Sequence, residues 1–375
     1  MRDALTILQA VAYGALLVIV VLTFPLWAMK KPAGVLDTNL RGNNDLVYFA
    51  TDAPDTFVIF SPGLHSNRLI LPASERMADM VVSPDGTVVW TATKSGFVDR
   101  YEIPLDRSRF TTDATLHRRI APVLSAIALS ANGRFIAVGY GNSEDYNSRN
   151  IKILPAVSVS LADELADFSV AGDIQDIVAN PVEDLFYIIN SHSDRVRIYN
   201  ADRFRLEPDI IELGNSPGNF VVRPDGLRAY GAMNARKAVA VVDLETNETT
   251  DYVALGFPPH AMAFNVDGSH LYIASRDSSD VAIMDTDSSE IVATIKLPPR
   301  LEGVLEYNSA EMIGVSSDER FFYVMPKRAE FLVYDISRVL DPAHASERPV
   351  MVQSQVLAAN PFYMEVVRGH NVPGV

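Results

Sequence analysis

The stretch from Pro259 to Leu297 holds four short runs of apolar or alternating residues: AMAF, HLYIAS, DVAIMDT and IVATIKL. Turn-forming residues separate the runs at Asp267-Gly268, at 276–279 and at 287–289. Short runs rich in Val, Ile and Tyr between such turns predict antiparallel strands joined by hairpins. A single four-stranded sheet of about 40 residues cannot bury both of its faces alone, so the pattern predicts further copies of itself.

The same order of turn and strands recurs five more times along the chain. The copies are found by aligning the turn after each first strand, which falls at Asp85, Asn132, Glu183, Asp225, Asp267 and Asp318. Successive turns are separated by 47, 51, 42, 42 and 51 residues. This spacing is typical of a β-propeller whose blades have four antiparallel strands.

The two ends of the chain supply a seventh blade between them. The segment Asn360–Gly369 resembles a first strand with nothing after it, and Asp45–Gly63 resembles a second and third strand without a first. With Arg68–Leu71 as the fourth strand, the two ends complete one blade and leave no open sheet edge. The sequence therefore predicts an all-β, seven-bladed propeller, with Leu105–Arg118 and Leu340–Gln355 as long excursions between blades.

The segment LYIASRDSSDVAIMDTDSSEIVATI, which begins at Leu271, resembles the YVTN-type β-propeller repeat. The blade from Pro217 to Leu255 is similar to it, whereas the other blades keep the hydrophobic spacing and lose the signature tetrapeptide. The resemblance covers most of residues 45–369 and implies the propeller fold. It implies little about function, since such propellers include surface proteins, binding subunits, lactonase-like enzymes and quinoprotein dehydrogenase chains.

Residues 4–29 are almost wholly apolar, which is long enough to cross a bilayer as one helix. We therefore expect an uncleaved transmembrane anchor in residues 1–33 and a propeller domain in residues 34–375. Lys30 and Lys31 follow the apolar run, and the positive-inside rule taken alone would place the propeller in the cytoplasm. YVTN-type propellers are commonly extracytoplasmic, and on that resemblance we expect a single-pass protein of a bacterial inner membrane with its propeller in the periplasm.

Composition narrows the classes of function. The chain has no cysteine, which excludes disulfides, thiolate metal sites, a cysteine nucleophile and covalent c-type haem. Its net charge is −15, and residues 1–33 carry about +2, so about −17 belongs to the remainder. Nucleic acid is not an expected partner, because phosphate binding needs a positive surface and the chain has no dense basic run.

The residues that lead into each innermost strand are the candidate site, since propellers hold ligands where these loops converge on the channel. Alignment on Gly218 gives Ala78, Ser125, Gln175, Gly218, His260, Glu311 and Tyr363. The next position holds Asp79, Ala126, Asp176, Asn219, Ala261, Met312 and Met364. The ligand-binding candidates are Asp79, Gln175, Asp176, Asn219, His260 and Glu311. Their oxygens suit a hard cation, and His260 with Glu311 suits acid/base work; the alternative is a polar, solvated funnel.

The other polar clusters of the sequence are expected to be structural. Six histidines are expected on turns or excursions of different blades, without ligand spacing: His65, His117, His192, His270, His344 and His370. Ser191-His192-Ser193-Asp194 falls on the hairpin between the second and third strands of its blade. Tyr140–Asn150 lacks the residue order of a calcium loop and is expected to be a polar surface loop.

Three functions from different classes remain open. The favoured one is a noncatalytic scaffold or binding subunit of a larger membrane protein complex, for example an electron-transfer or photosynthetic assembly, with no cofactor of its own. It accounts for the apolar anchor, the absence of catalytic motifs and the long loops, where partners tend to bind. The alternatives are a lactonase-like or other hydrolase with a cation in the funnel, and a quinoprotein-type dehydrogenase chain.

Overall fold

The computed structural model contains seven four-stranded antiparallel sheets and confirms the seven-bladed propeller. It describes residues 45–367 apart from 53–54, 63–65, 74, 104–113, 142–149, 160–162, 171, 191–192, 215–216, 276, 298–309, 327–328, 340–348 and 358–360. In the described part of the chain, no helix is long and apolar enough to cross a membrane. The predicted anchor lies outside the described residues.

Blade 1 is built from both ends of the described chain, as predicted. Its strand order is β28 (Pro361–Val367), β1 (Leu46–Asp52), β2 (Asp55–Ser61) and β3 (Ser66–Pro72). The fourth strand covers the predicted Arg68–Leu71, and β28 pairs antiparallel with β1. The ring is therefore closed by hydrogen bonds between the two chain ends.

The other blades follow one another in chain order, each with its first strand innermost. Blade 2 consists of β4 (Met77–Val82), β5 (Val88–Thr93), β6 (Phe97–Glu102) and β7 (Leu116–Arg119). Blade 3 consists of β8 (Val123–Leu129), β9 (Phe135–Gly141), β10 (Asn150–Pro155) and β11 (Ala166–Ser169). Blade 4 consists of β12 (Ile174–Ala179), β13 (Leu185–Asn190), β14 (Arg195–Asn200) and β15 (Arg205–Glu212). Blade 5 consists of β16 (Phe220–Val222), β17 (Arg228–Met233), β18 (Ala238–Asp243) and β19 (Glu248–Ala254). Blade 6 consists of β20 (Pro259–Phe264), β21 (His270–Ser275), β22 (Asp280–Asp285) and β23 (Ile291–Lys296). Blade 7 consists of β24 (Ala310–Val315), β25 (Phe321–Pro326), β26 (Glu330–Asp335) and β27 (Val350–Val356).

The two predicted excursions are corrected by the strand pairing. Both were expected between blades, but each connects the third strand of one blade to its fourth strand. The fourth strands Leu116–Arg119 and Val350–Val356 lie at the ends of the segments that the sequence assigned to loops. Residues 104–113 and 340–348 of these segments lie outside the described residues.

The core lies between the blades. Seven clusters of buried apolar side chains occupy the seven interfaces, so each sheet is covered on both faces. In β21, Tyr272 packs toward blade 7 and Leu271 and Ile273 pack toward blade 5. Burial on both faces is the reason that runs such as HLYIAS are apolar without interruption. Each fully buried side chain of this size contributes about 1.5–3 kcal/mol of transfer free energy.

The ring has two faces, which we name by their connections. The mouth face carries the connections between blades and the hairpins between second and third strands. The turn face carries the turns between first and second strands and the connections between third and fourth strands. On the turn face, Tyr48 donates from its hydroxyl to the Gly86 carbonyl of the next blade at 2.7 Å. Tyr230 donates to the Thr286 carbonyl of the next blade at 3.2 Å, so hydrogen bonds connect adjacent blades on this face.

Candidate functional site

The first strands of the seven blades form a closed inner ring, because each contacts the first strands of its two neighbours. Close to the mouth, this strand carries one extra residue relative to its partner strand in six blades. In blade 5 the Gly218 amide donates to the Ala232 carbonyl and the Ala232 amide donates to the Asn219 carbonyl, each at 2.8 Å. The bulge residues are Ala78, Ser125, Gln175, His260, Glu311 and Phe362, and the blade 5 pairing sets Gly218 at the same position.

The bulge corrects the sequence alignment in blade 1. Phe362, not Tyr363, is the extra residue there, since Tyr363 pairs with Ala50 and Pro361 pairs with Thr51. Tyr363 therefore stands at the position of Asp79 and Asp176. The sequence-based alignment was one residue late in this blade, and Met364 does not belong to the ring of polar positions.

Asp79 is held by two backbone amides, one from its own blade and one from the next. Its Oδ1 accepts from the Met80 amide at 2.8 Å, and its Oδ2 accepts from the Ile127 amide of blade 3 at 2.9 Å. Burial and the nearby charge of Asp176 raise the pKa of this carboxyl to about 8, although the two amides act in the opposite direction. Near neutral pH, Asp79 therefore holds a proton for a large part of the time.

Asp176, Tyr363 and Glu365 share the electrostatic environment of Asp79. Burial raises the pKa of Asp176 to about 6, against the stabilising hydrogen bond that its Oδ1 accepts from Ile177 at 2.8 Å. Tyr363 donates to Glu365 Oε2 at 2.5 Å, and burial with the neighbouring carboxylates raises the pKa of the phenol well above its usual range. The sequence analysis missed Glu365, which lies deeper in the strand and also accepts from the Val82 amide of blade 2 at 3.3 Å.

Gln175 and Asn219 lie on neighbouring blades. Gln175 donates from Nε2 to the Gly218 carbonyl of blade 5 at 3.0 Å. The Oδ1 atom of Asn219 is buried and accepts no hydrogen bond from the described residues. A Cβ atom at Gly218 would lie 2.7 Å from Nδ2 of Asn234, so a side chain there would require the Asn234 side chain to move.

His260 and Glu311 meet across the interface between blades 6 and 7, as the sequence predicts. His260 Nε2 lies 3.3 Å from Glu311 Oε2, and the two side chains are 22% and 19% exposed. They can share a proton while part of each stays accessible to solvent. Of the six candidates, this pair alone has the acid and base in direct contact that a hydrolytic mechanism would use.

The charged candidates do not form a metal site with one another in the described structure. Among the described residues, no three His, Asp or Glu side chains are close enough together to hold a metal ion. Instead, several of them join one blade to the next: Asp79 joins blades 2 and 3, Gln175 joins blades 4 and 5, and His260 with Glu311 joins blades 6 and 7. The mouth is a polar belt that bridges blades.

The remaining clusters from the sequence analysis are placed as follows. Ser193 and Asp194 follow β13 on its hairpin, as predicted, while residues 191–192 lie outside the description. His117 was expected on an excursion, but it lies in β7, where its Nδ1 is 2.5 Å from the buried Oδ1 of Asp99. His270 lies at the start of β21 beside the turn. His65, His192, His344, His370 and most of Tyr140–Asn150 lie outside the described residues.

No family model and no curated protein matches the chain. Several solved structures resemble it at low identity. A functionally unknown protein from Desulfotomaculum acetoxidans DSM 771 is 14% identical with a TM-score of 0.66, covering 86% of this chain and 99% of that one. Kuenenia stuttgartiensis hydrazine synthase is 15% identical with a TM-score of 0.58, covering 72% and 80%. The dihydro-heme d1 dehydrogenase NirN, in complex with DHE, is 14% identical with a TM-score of 0.59, covering 91% and 80%.

These likenesses establish the class of the protein. It is a seven-bladed β-propeller, a class that spans enzymes and proteins of unknown function. At 14–15% identity the comparisons show the fold alone. The YVTN repeat type stays a prediction from the sequence.

Proposed function

We propose that this protein is a noncatalytic scaffold or binding subunit of a larger membrane protein complex. Residues 4–29 anchor it in a bacterial inner membrane, and the propeller lies in the periplasm. In this proposal the ring is a rigid platform, and its partners are other subunits of the complex. An electron-transfer or photosynthetic assembly is an example of such a complex.

The main support for the proposal is that the polar residues at the mouth bond to neighbouring blades. The carboxyl group of Asp79 bridges to blade 3, the amide of Gln175 bridges to blade 5, and His260 bridges to Glu311. Side chains engaged in this way rigidify the scaffold, and a rigid scaffold loses little conformational entropy when a partner binds. They do not present a nucleophile with a base and an orienting group, which is the arrangement of acyl-transfer enzymes.

The size of the protein extracted from its native membrane tests the proposal. Extraction in a mild non-ionic detergent, followed by native electrophoresis, should give a particle well above the 41.2 kDa chain in its micelle. Mass spectrometry of that particle should find other subunits at constant ratio. A lone monomer in the mild detergent would contradict the proposal.

Sidedness is tested separately with protease. Added to spheroplasts, a protease should digest the propeller, and the same protease added to inverted membrane vesicles should leave it intact. The reverse pattern would place the propeller in the cytoplasm, as Lys30 and Lys31 taken alone suggest.

The contact between His260 and Glu311 favours a second candidate, a hydrolase of the lactonase-like class with a cation in the funnel. Both side chains remain partly exposed and are 3.3 Å apart. Metal analysis of the purified full chain distinguishes this candidate. Bound metal that is lost in both Glu311→Ala and Asp176→Ala would favour the hydrolase over the scaffold. The dehydrogenase alternative has no comparable contact in its support.

A further inference from the structure

Four exposed cationic side chains gather on the mouth face of blade 2. They are Arg76, Lys94, Arg118 and Arg119, which we call the basic corner. They come from three separate segments of the chain: the connection into blade 2, the hairpin between its second and third strands, and the end of its fourth strand. These residues form no basic run in the sequence, because the three segments are distant from one another along the chain.

Backbone contacts bring the three segments together. The Lys94 amide donates to the Arg76 carbonyl at 2.8 Å. Arg118 and Arg119 pair with Val98 and Phe97 across the two outer strands of the blade. The Ile120 amide then donates to the Gly96 carbonyl at 2.8 Å, which holds the end of β7 against the hairpin. The backbones of the four residues therefore lie in or beside one hairpin.

The corner is held rigidly. Gly96 has a φ of +95°, and a Cβ atom there would lie 1.7 Å from the Ala121 carbonyl oxygen, so the hairpin is packed tightly on the chain that leaves β7. The Arg119 guanidinium lies 5.9 Å from the centre of the Phe97 ring, and that ring stacks on His117 at 4.2 Å. A preorganised surface loses less conformational entropy on binding.

None of the four cations forms an ion pair with another described residue. Two other arginines on the ring are neutralised: Arg195 lies 3.3 Å from Glu212, and Arg223 contacts both Asp225 and Asp287. Glu75 is the one acidic residue in the segments 73–76, 94–97 and 116–122, and its Oε2 atom is buried. The corner is thus a concentrated positive surface on a chain of net charge −15.

The turn face, on the opposite side of the ring, carries exposed aspartates at Asp85, Asp225, Asp267 and Asp318 and exposed arginines at Arg134, Arg203 and Arg205. The described chain enters the ring at Asp45 and leaves it at Val367, and both residues lie on this turn face. An N-terminal anchor joins the ring there, opposite the basic corner, so this geometry favours a protein partner for the corner over the headgroups of the bilayer.

We propose that the basic corner is the docking surface for an acidic, Asp- or Glu-rich segment of a partner protein. This rests on the proposed scaffold function and names a surface for it. Carboxylates of the segment would pair with Arg76, Lys94, Arg118 and Arg119, and the acidic remainder of the ring would repel wrongly placed segments. Binding through such exposed pairs weakens with salt, because the Debye length falls from about 20 Å near 20 mM to about 8 Å at 150 mM.

Fluorescence anisotropy of the full chain in non-ionic micelles tests the surface, with a labelled polyglutamate peptide as the probe. At low salt the peptide should bind, and the triple variant Arg76→Glu, Lys94→Glu, Arg118→Glu should lose affinity by about tenfold or more. The matched control reverses three other mouth-face cations, Arg195→Glu, Lys237→Glu and Lys296→Glu, with the same change in net charge. It should stay within about twofold of wild type. Thermal melting verifies that both variants fold.

Three outcomes of the peptide assay would overturn the surface: no binding by the wild type, equal losses in both triple variants, or displacement of the peptide by micelles containing phosphatidylglycerol. Concentration-dependent self-association that the corner variant abolishes would instead assign the surface to a second copy and also overturn it. The proposed scaffold function can fail independently of the docking surface. If the protein is a monomer on native gels but still binds the peptide through the basic corner, the scaffold function is refuted and the docking surface is kept. If the corner variant leaves the complex intact, the docking surface alone is refuted.

Discussion

The Oδ2 atom of Asp79 accepts a hydrogen bond of 2.9 Å from the backbone amide of Ile127, and this bond joins blade 2 to blade 3. The bond shows that a polar residue at the mouth of this ring joins neighbouring blades. A carboxylate that could be a ligand is instead engaged by main-chain donors of its own blade and of the next. The inner ring is held by polar contacts at the mouth in addition to the apolar cores between blades.

Asp79→Ala should destabilise the protein, because two buried amides lose their acceptor. At about pH 4, where the raised pKa of Asp79 costs little stability, we expect a loss of about 2–3 kcal/mol in the free energy of unfolding, measured by urea denaturation with tryptophan fluorescence. The control is Asp251→Ala, since Asp251 is exposed and its Oδ1 accepts from the adjacent Tyr252 amide. That change should cost less than about 0.5–1 kcal/mol. Equal losses in the two variants would show that the hydrogen bonds to Asp79 contribute no more to the free energy of unfolding than the exposed contact of Asp251.

Stability should depend on pH through Asp176. Its pKa is raised from 3.8 to about 6 in the folded protein, so the folded state keeps a proton that the unfolded chain loses. The stabilisation from this proton is complete below about pH 4 and is lost as the pH rises through about 6.

Asp176→Asn removes this group and keeps an acceptor for the Ile177 amide. Between about pH 4 and pH 7.5 the variant should therefore gain about 1–2 kcal/mol on the wild type, measured by thermal melting across the range. The control Asp267→Asn should differ from the wild type by a nearly constant amount across this range, because hydrogen bonds from Ser269 lower the pKa of Asp267 and its stabilisation is lost only as the pH falls below about 4. A constant difference between Asp176→Asn and wild type across the range would contradict the proton assignment.

Gly96 and Gly133 form a matched pair for testing the packing of the mouth. Both have positive φ, but a Cβ atom at Gly96 would lie 1.7 Å from the Ala121 carbonyl, while one at Gly133 would have nothing within 4 Å. Gly133→Ala should cost about 1–2 kcal/mol through its backbone conformation. Gly96→Ala should cost more than about 3 kcal/mol in the same denaturation assay, or prevent folding. Similar costs would mean that the hairpin of blade 2 is looser than described.

Closure of the ring depends on β28. Deleting residues 361–375 should expose the edge of β1 and open two apolar interfaces, because Val367 packs between blades 1 and 2 and Met364 and Val366 pack between blades 7 and 1. We expect aggregation on size-exclusion chromatography. A control truncation that ends at Gly369 keeps β28 and should elute as the full chain does. A monodisperse product from the longer deletion would contradict the closure.

The fold was predictable because both faces of each blade are buried. That burial produces short apolar runs, and the turns between them repeat at Asp85, Asn132, Asp225 and Asp267. The fourth strands Leu116–Arg119 and Val350–Val356 were not predicted. The four residues Leu116–Arg119 are mostly exposed, so their sequence carries no apolar alternation to mark a strand.

The site was predictable in part. The contact between His260 and Glu311 follows from equal positions on adjacent blades. The one-residue error at Tyr363 arose because Pro361-Phe362-Tyr363 offers no residue that marks which member is the bulge, and only strand pairing shows it. The blade-to-blade role of Asp79 and the position of Glu365 also depend on neighbouring blades. Comparing one repeat with the others reveals neither feature, because both depend on hydrogen bonds from another blade.

Crosslinking in native membranes with a lysine-reactive reagent, read by mass spectrometry, tests the scaffold proposal most directly. Lys94 and Lys237 are both exposed on the mouth face and should react, and Lys94 should form links to a second protein. Lys152 is 12% exposed and is paired with Glu164 and Asp167, so it should form few links and acts as an internal control. The account predicts intermolecular links concentrated at Lys94. Modification of Lys94 and Lys237 by the reagent with links only within this chain would contradict it.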